Sequence, residues 1–125
     1  GLGDVYKRQG PAESAPAALV ARGAELLSLP APDGRIDLSS LLAALAARGV
    51  NELHVEAGAT LGGAWLAAGL VDELLVYLAP VLLGHGHPLA RLAPPANLAD
   101  APRWQWHELT PVGGDLRLRL RRPAA

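Results

Sequence analysis

The stretch with the clearest chemical content is Val55-Glu56-Ala57-Gly58-Ala59-Thr60-Leu61-Gly62-Gly63-Ala64. An apolar alternation ends there, a glycine permits a tight turn, and small residues open what reads as a helix. The first amides of a helix lack internal partners and sit at the positive end of its dipole, so an anion such as phosphate is stabilised there. Gly58, Gly62 and Gly63 carry no side chain to hold a pyrophosphate off the backbone. Thr60 offers a hydroxyl, either to a phosphate or to the helix as a cap. The pattern is neither G-x-G-x-x-G nor a P-loop, and no lysine follows it. On residue types alone, close packing of a helix on a sheet through small residues accounts for it more simply.

Other candidates are weaker. Glu56 stands at the carboxyl end of an expected strand, where ligands of open α/β sheets bind; taken alone, it reads as a solvated carboxylate. His54 lies two residues earlier on the same face. His85 and His87 could ligate a metal, but no acidic or cysteine partner is near in sequence, and a surface loop explains them. Arg117, Arg119, Arg121 and Arg122 could meet phosphates, or could form a charged edge strand that discourages aggregation. Trp104 and Trp106 suit a core or an interface. No Ser-His-Asp arrangement can be assembled, and no metal site is expected.

These residues need a scaffold, and the periodicity supplies one. A short helix over 17–22 should end at Gly23, followed by a strand over 24–29 that Pro30 stops. Asp37 can cap a helix over 38–48, whose Leu38, Leu41, Leu42 and Leu45 make one buried stripe, with Gly49 as its stop. Residues 51–57 alternate as a strand. A helix over 60–68 closed by Gly69 then leads to the apolar run 74–79, which reads as a strand buried on both faces. Strand, helix and strand in so short a span predict a βαβ unit. Residues 84–100 read as a long surface connection. Segments 103–109 and 116–121 predict an antiparallel hairpin, with Leu116, Leu118 and Leu120 opposite Arg117, Arg119 and Arg121. The expected fold class is α/β, a mostly parallel sheet flanked by helices and finished by an antiparallel hairpin.

Composition excludes several classes. The formal net charge of -1 argues against a dedicated nucleic-acid binder. With no cysteine there is no disulfide, thiolate nucleophile or cysteine-bound zinc. The uncharged run 57–71 is too short to span a bilayer, and no secretory signal is seen, so the expected location is cytoplasmic. The chain begins at Gly1 and contains no Met. Lys7, its one lysine, stands in a leader over 1–9 that is expected to be non-native, leaving 10–125 as the C-terminal part of a domain.

The motifs 51–61, 69–74 (Gly-Leu-Val-Asp-Glu-Leu) and 77–84 (Tyr-Leu-Ala-Pro-Val-Leu-Leu-Gly), with the ending Gly113-Gly114-Asp115-Leu116-Arg117, closely resemble the riboflavin-biosynthesis reductase family. This is the C-terminal domain of the bifunctional pyrimidine deaminase/reductase. The resemblance covers nearly everything from Gly23 onward. It implies a dihydrofolate-reductase-like fold, incomplete on its N-terminal side, and NADPH-dependent reduction of 5-amino-6-(5-phosphoribosylamino)uracil to its ribitylamino form. It implies substrate contact by Glu56, and NADPH phosphates wrapped by the backbone of Gly58, Ala59, Thr60, Leu61, Gly62, Gly63 and Ala64. It also implies a pyrimidine ribose-phosphate as partner and a homodimer, with no nucleic acid and no membrane. The family's upstream Arg, Ser or Thr and Asp-rich segments have no counterpart here, nor has its zinc deaminase domain, so the chain alone is expected to be inactive. A related reductase of another pterin or pyrimidine, or a non-catalytic nucleotide-binding or dimerisation remnant, are the alternatives. Roles for Asp72 and Glu73 do not follow from the sequence.

Overall fold

A computed structural model describes residues 14–31 and 33–123, with side chains from residue 17. The expected leader over 1–9 lies outside the described residues. The chain divides into two compact units, residues 1–52 and 53–125.

In the first unit, α1 spans Ser14–Ala21 and α2 spans Leu38–Ala46. Asp37 caps α2 as expected, its Oδ1 accepting from the Ser40 amide at 2.6 Å. The Ser40 hydroxyl and then its amide lower the pKa of the Asp37 carboxyl. Leu41, from the leucine stripe, is buried. Both helices stop in the same way: after α1 the Gly23 amide reaches Val20 and the Ala24 amide reaches Leu19. After α2 the Gly49 amide reaches Ala46 and the Val50 amide reaches Leu45. This pair of bonds needs a left-handed residue, which Gly23 (φ 88°) and Gly49 (φ 81°) supply. Arg48 reaches back to Glu25, Nη2 to Oε1 at 2.9 Å, on the surface.

In the second unit, α3 spans Ala59–Ala67 and ends at Gly69 through the same two bonds. Strand β1 (Glu73–Leu78), a 3₁₀ turn at Leu98–Asp100, β2 (Gln105–Val112) and β3 (Asp115–Arg121) follow. The sheet order is β1-β3-β2, and both pairings are antiparallel. β2 and β3 form the expected hairpin about a Gly113-Gly114 turn, with one irregularity between Trp106 and Glu108. Cross-strand register sorts the two faces. One carries Leu74, Val76 and Leu78 of β1 beside Leu120, Leu118 and Leu116 of β3, and beyond these Trp106, Leu109 and Pro111 of β2. Leu118, at its centre, is buried, as is Trp65 of α3.

Three expectations are corrected. The sheet formed by the described residues is antiparallel, not mostly parallel: 24–29 and 51–57 run without a ladder partner, and a parallel strand exists only where a neighbour offers its amides and carbonyls. For the same reason no βαβ ladder forms, since β1 pairs with β3 alone. Nor is β1 buried on both faces: Leu75 and Tyr77 are 43% and 59% exposed. They share their face with charged residues of β3, so an apolar run need not mean two covered faces. Of the two tryptophans expected in a core or an interface, Trp106 is largely exposed.

Candidate functional site

The backbone around residue 58 forms as the residue types dictate. Gly58 (φ −68°, ψ 167°) is the N-cap of α3, and no side chain caps the helix. The first intrahelical bond runs from the Gly62 amide to the Gly58 carbonyl at 3.0 Å. The amides of Ala59, Thr60 and Leu61 therefore precede the helical ladder and have no acceptor among the described residues. Thr60 does not serve as cap; the extended conformation of Gly58 takes that position and leaves the hydroxyl exposed.

Glycines 58 and 62 border open space: a Cβ at either would meet nothing within 4 Å. Gly63 differs. A Cβ there would stand 2.1 Å from the Arg91 carbonyl oxygen, so the 79–104 connection already occupies the space that the missing side chain leaves. Leu61 is half exposed, and Ala64 lies one turn into α3, its carbonyl receiving the Ala68 amide at 3.0 Å. Glu56 precedes Gly58 by two residues and its side chain is 87% exposed, with His54 Nε2 3.4 Å from Oε1. An open carboxylate and uncommitted amides thus come from one short segment. Sequence reasoning missed Arg91, and had no signal for it, because the contact is made by backbone.

The arginine stripe is engaged elsewhere, and β3 is the central strand rather than an edge. Arg119 is bracketed by carboxylates, with Nη2 to Glu73 at 2.8 Å and Nη1 to Glu108 at 3.2 Å. Arg117 reaches Glu108 at 2.6 Å, and Arg121 reaches Glu73 at 2.9 Å. Hydrogen bonds from Arg119 and then Arg121 hold the Glu73 carboxyl down at about 2. Those from Thr110, Arg117 and Arg119 bring Glu108 down to about 2. Arg122 donates to the carbonyls of Gly69 and Val71, tying the end of β3 to the α3–β1 turn. An arginine so occupied is a poor phosphate receptor.

Among the described residues, no cluster of three or more His, Cys, Asp or Glu could hold a metal, and no helix is long and apolar enough to cross a membrane. His85 and His87 lie in the exposed connection. An open apolar groove of about 350 Å³, lined by Leu78, Ala79, Pro80, Val81, Leu82, Gly114 and Leu116, includes none of the expected site residues.

Comparison with known proteins identifies the scaffold. The RibD C-terminal domain family matches residues 7–118. The riboflavin biosynthesis protein RibD of Escherichia coli is 46% identical over 95 residues, covering 75% of this chain and 26% of that protein. The 2,5-diamino-6-ribosylamino-4(3H)-pyrimidinone 5′-phosphate reductase of Methanothermobacter thermautotrophicus is 36% identical over 113 residues, 86% of this chain and 51% of that protein. A 5-amino-6-(5-phosphoribosylamino)uracil reductase of Buchnera aphidicola is 34% identical over 69% of this chain and 42% of its own length. A solved structure of Acinetobacter baumannii RibD superimposes with a TM-score of 0.75 at 30% identity, over 86% of this chain and 29% of that one. The chain thus spans about a quarter to a half of the length of these relatives. The α/β, dihydrofolate-reductase-like class expected from the motifs stands, and the chain belongs to the RibD C-terminal domain family.

Proposed function

We propose that this chain forms the cofactor-binding part of an NADPH-dependent reductase of riboflavin biosynthesis. The substrate is 5-amino-6-(5-phosphoribosylamino)uracil and the product its ribitylamino form. The observation that carries this reading is the open segment itself: Glu56, then amides of Ala59, Thr60 and Leu61 without acceptors, with free space at Gly58 and Gly62. The names of the Escherichia coli and Buchnera relatives support the pathway and the substrate.

Bare amides at the positive end of α3 fit the pyrophosphate of a dinucleotide, because they supply donors and partial charge with no side chain in the way. When bound, NADPH supplies a hydride to C1′ of the opened ribose. What the chain's own residues do is place the reactants: the α3 amides fix the phosphates, and Glu56 accepts hydrogen bonds from donors on the pyrimidine. Holding the two against each other converts an encounter into an intramolecular step, where most of the gain lies. A homodimer in the cytoplasm belongs to the same reading.

The test is NADPH oxidation by this chain joined to the upstream half of a family reductase domain. Turnover is expected with the phosphoribosylaminouracil. Gly62→Val should raise KM for NADPH and Glu56→Ala should raise KM for the pyrimidine, each by about tenfold or more. No oxidation by the complete domain counts against the assignment. The Methanothermobacter relative, by its name a reductase of a diamino-ribosylaminopyrimidinone phosphate, favours a second reading, the same reduction with the ring still aminated. Competition between the aminated and deaminated pyrimidines separates the two. A dimerisation remnant would bind no NADPH, and a nucleotide-binding remnant would bind it without turnover in the complete domain.

A further inference from the structure

Residues 79–104 join β1 to β2 and are exposed along most of their length, Leu82, Leu83, Leu89 and Leu98 included. Among the described residues, one backbone hydrogen bond ties this connection to another element: the Arg91 amide donates to the Ala59 carbonyl at 2.8 Å. A carbonyl has two lone pairs, so Ala59 can take this bond besides the one its own helix requires. One turn further along α3, Gly63 is buried, and a Cβ there would stand 2.1, 2.8 and 2.9 Å from the oxygen, carbon and nitrogen of Arg91. No rotamer relieves an approach to backbone atoms.

The structure assigns Gly63 a task different from that of Gly62. Gly63 is the seat for the Arg91 peptide, which straps the 79–104 connection onto α3 and positions the amides that would take the cofactor phosphates. This rests on the cofactor reading above, and it makes Gly63 a positioning residue, not a phosphate contact. The contact is made by peptide groups, so the Arg91 side chain is dispensable to it. If NADPH binds only the strapped form, its affinity falls in proportion to the fraction of chain with the strap released.

The experiment combines amide hydrogen exchange with NADPH titration of the full chain. In the parent chain the residue 91 amide should exchange more slowly than those of His85 and His87. Gly63→Ala should bring it close to the rate of the His85 and His87 amides, the strap being mostly released, while Gly62→Ala leaves it slow. NADPH affinity should drop by about tenfold in Gly63→Ala. The same drop is expected in Arg91→Pro, which removes the donor without touching α3. Arg91→Ala, which keeps the peptide, should bind as the parent does. Slow exchange of β3 amides in every variant shows that the sheet is intact. The inference is overturned if residue 91 stays protected in Gly63→Ala, or if Arg91→Ala weakens NADPH as much as Arg91→Pro. A strap that opens in Gly63→Ala with NADPH affinity unchanged also overturns it and leaves the cofactor reading standing. Absence of NADPH binding by the parent chain overturns both, with exchange at residue 91 still reporting the seat.

Discussion

At the scale of single residues, the charged face of the sheet is where side chains carry most of the information. Glu73 of β1 and Glu108 of β2 flank β3 and meet Arg117, Arg119 and Arg121 from either side. Arg119 bridges both carboxylates, so one guanidinium links all three strands. Arg119 is accordingly held in its charged form by both glutamates, Glu73 foremost. Thr110 donates to Glu108 as well, and Gln105, Leu75 and Tyr77 complete the face. Exposed ion pairs usually contribute little, but a shared, bidentate network is the favourable case. Both carboxyls sit near 2 when folded, against 4.5 in an unperturbed chain. Between those values the unfolded chain takes up protons that the folded one does not. The contribution is therefore complete above about pH 4.5 and is lost as pH falls through about 2. The urea midpoint should decline over that window, and the decline should flatten in Glu73→Gln/Glu108→Gln. An equally steep fall in the double variant would remove these residues as its origin. High salt should weaken the same contribution.

Elements differ in how far their own residues determine them. The three helices were legible because their signals are local: Asp37 as cap, the leucine stripe through Leu41, and glycines at 23, 49 and 69. The hairpin was legible too, because leucine and arginine alternate along β3 about a glycine pair. Segments 24–29 and 51–57 were not, since a parallel strand is defined by partners distant in sequence and no residue type announces which neighbour is present. Glu56 and the α3 amides could be read as one segment. The split between Gly62 and Gly63 could not, because it depends on where the Arg91 backbone passes. The central position of β3 was missed for a related reason: alternation shows which residues share a face, not the order of strands. That position makes Leu118, between Val76 and Leu109, the keystone of the apolar face. Leu118→Ala should cost about 2–4 kcal/mol in urea unfolding. A loss below about 1 kcal/mol would mean that the face is open enough to collapse around the gap.

For the chain as a whole, the balance between covered and uncovered apolar residues is decisive. Among the described residues, Leu41, Trp65 and Leu118 are the buried apolar side chains, while Leu82, Leu83, Leu89, Leu98 and Trp106 stand more than half exposed. A three-stranded sheet with β1 and β2 as open edges adds unpaired backbone to this surface. Exposed apolar side chains in this number favour association, whether with the rest of a reductase domain or with a second copy. Leu82 lines the apolar groove after β1 and Leu83 follows it in the chain, both almost fully exposed, so they are the residues to change. At physiological salt the chain should bind a hydrophobic dye and sediment as more than a monomer. Leu82→Asp/Leu83→Asp should reduce both signals while shifting the unfolding midpoint little, since exposed positions change stability by only about 0.5 kcal/mol. Joining the upstream half of a family domain should suppress dye binding without these substitutions. A chain that is monomeric, free of dye and cooperative in unfolding would show that its apolar surface is covered within one copy.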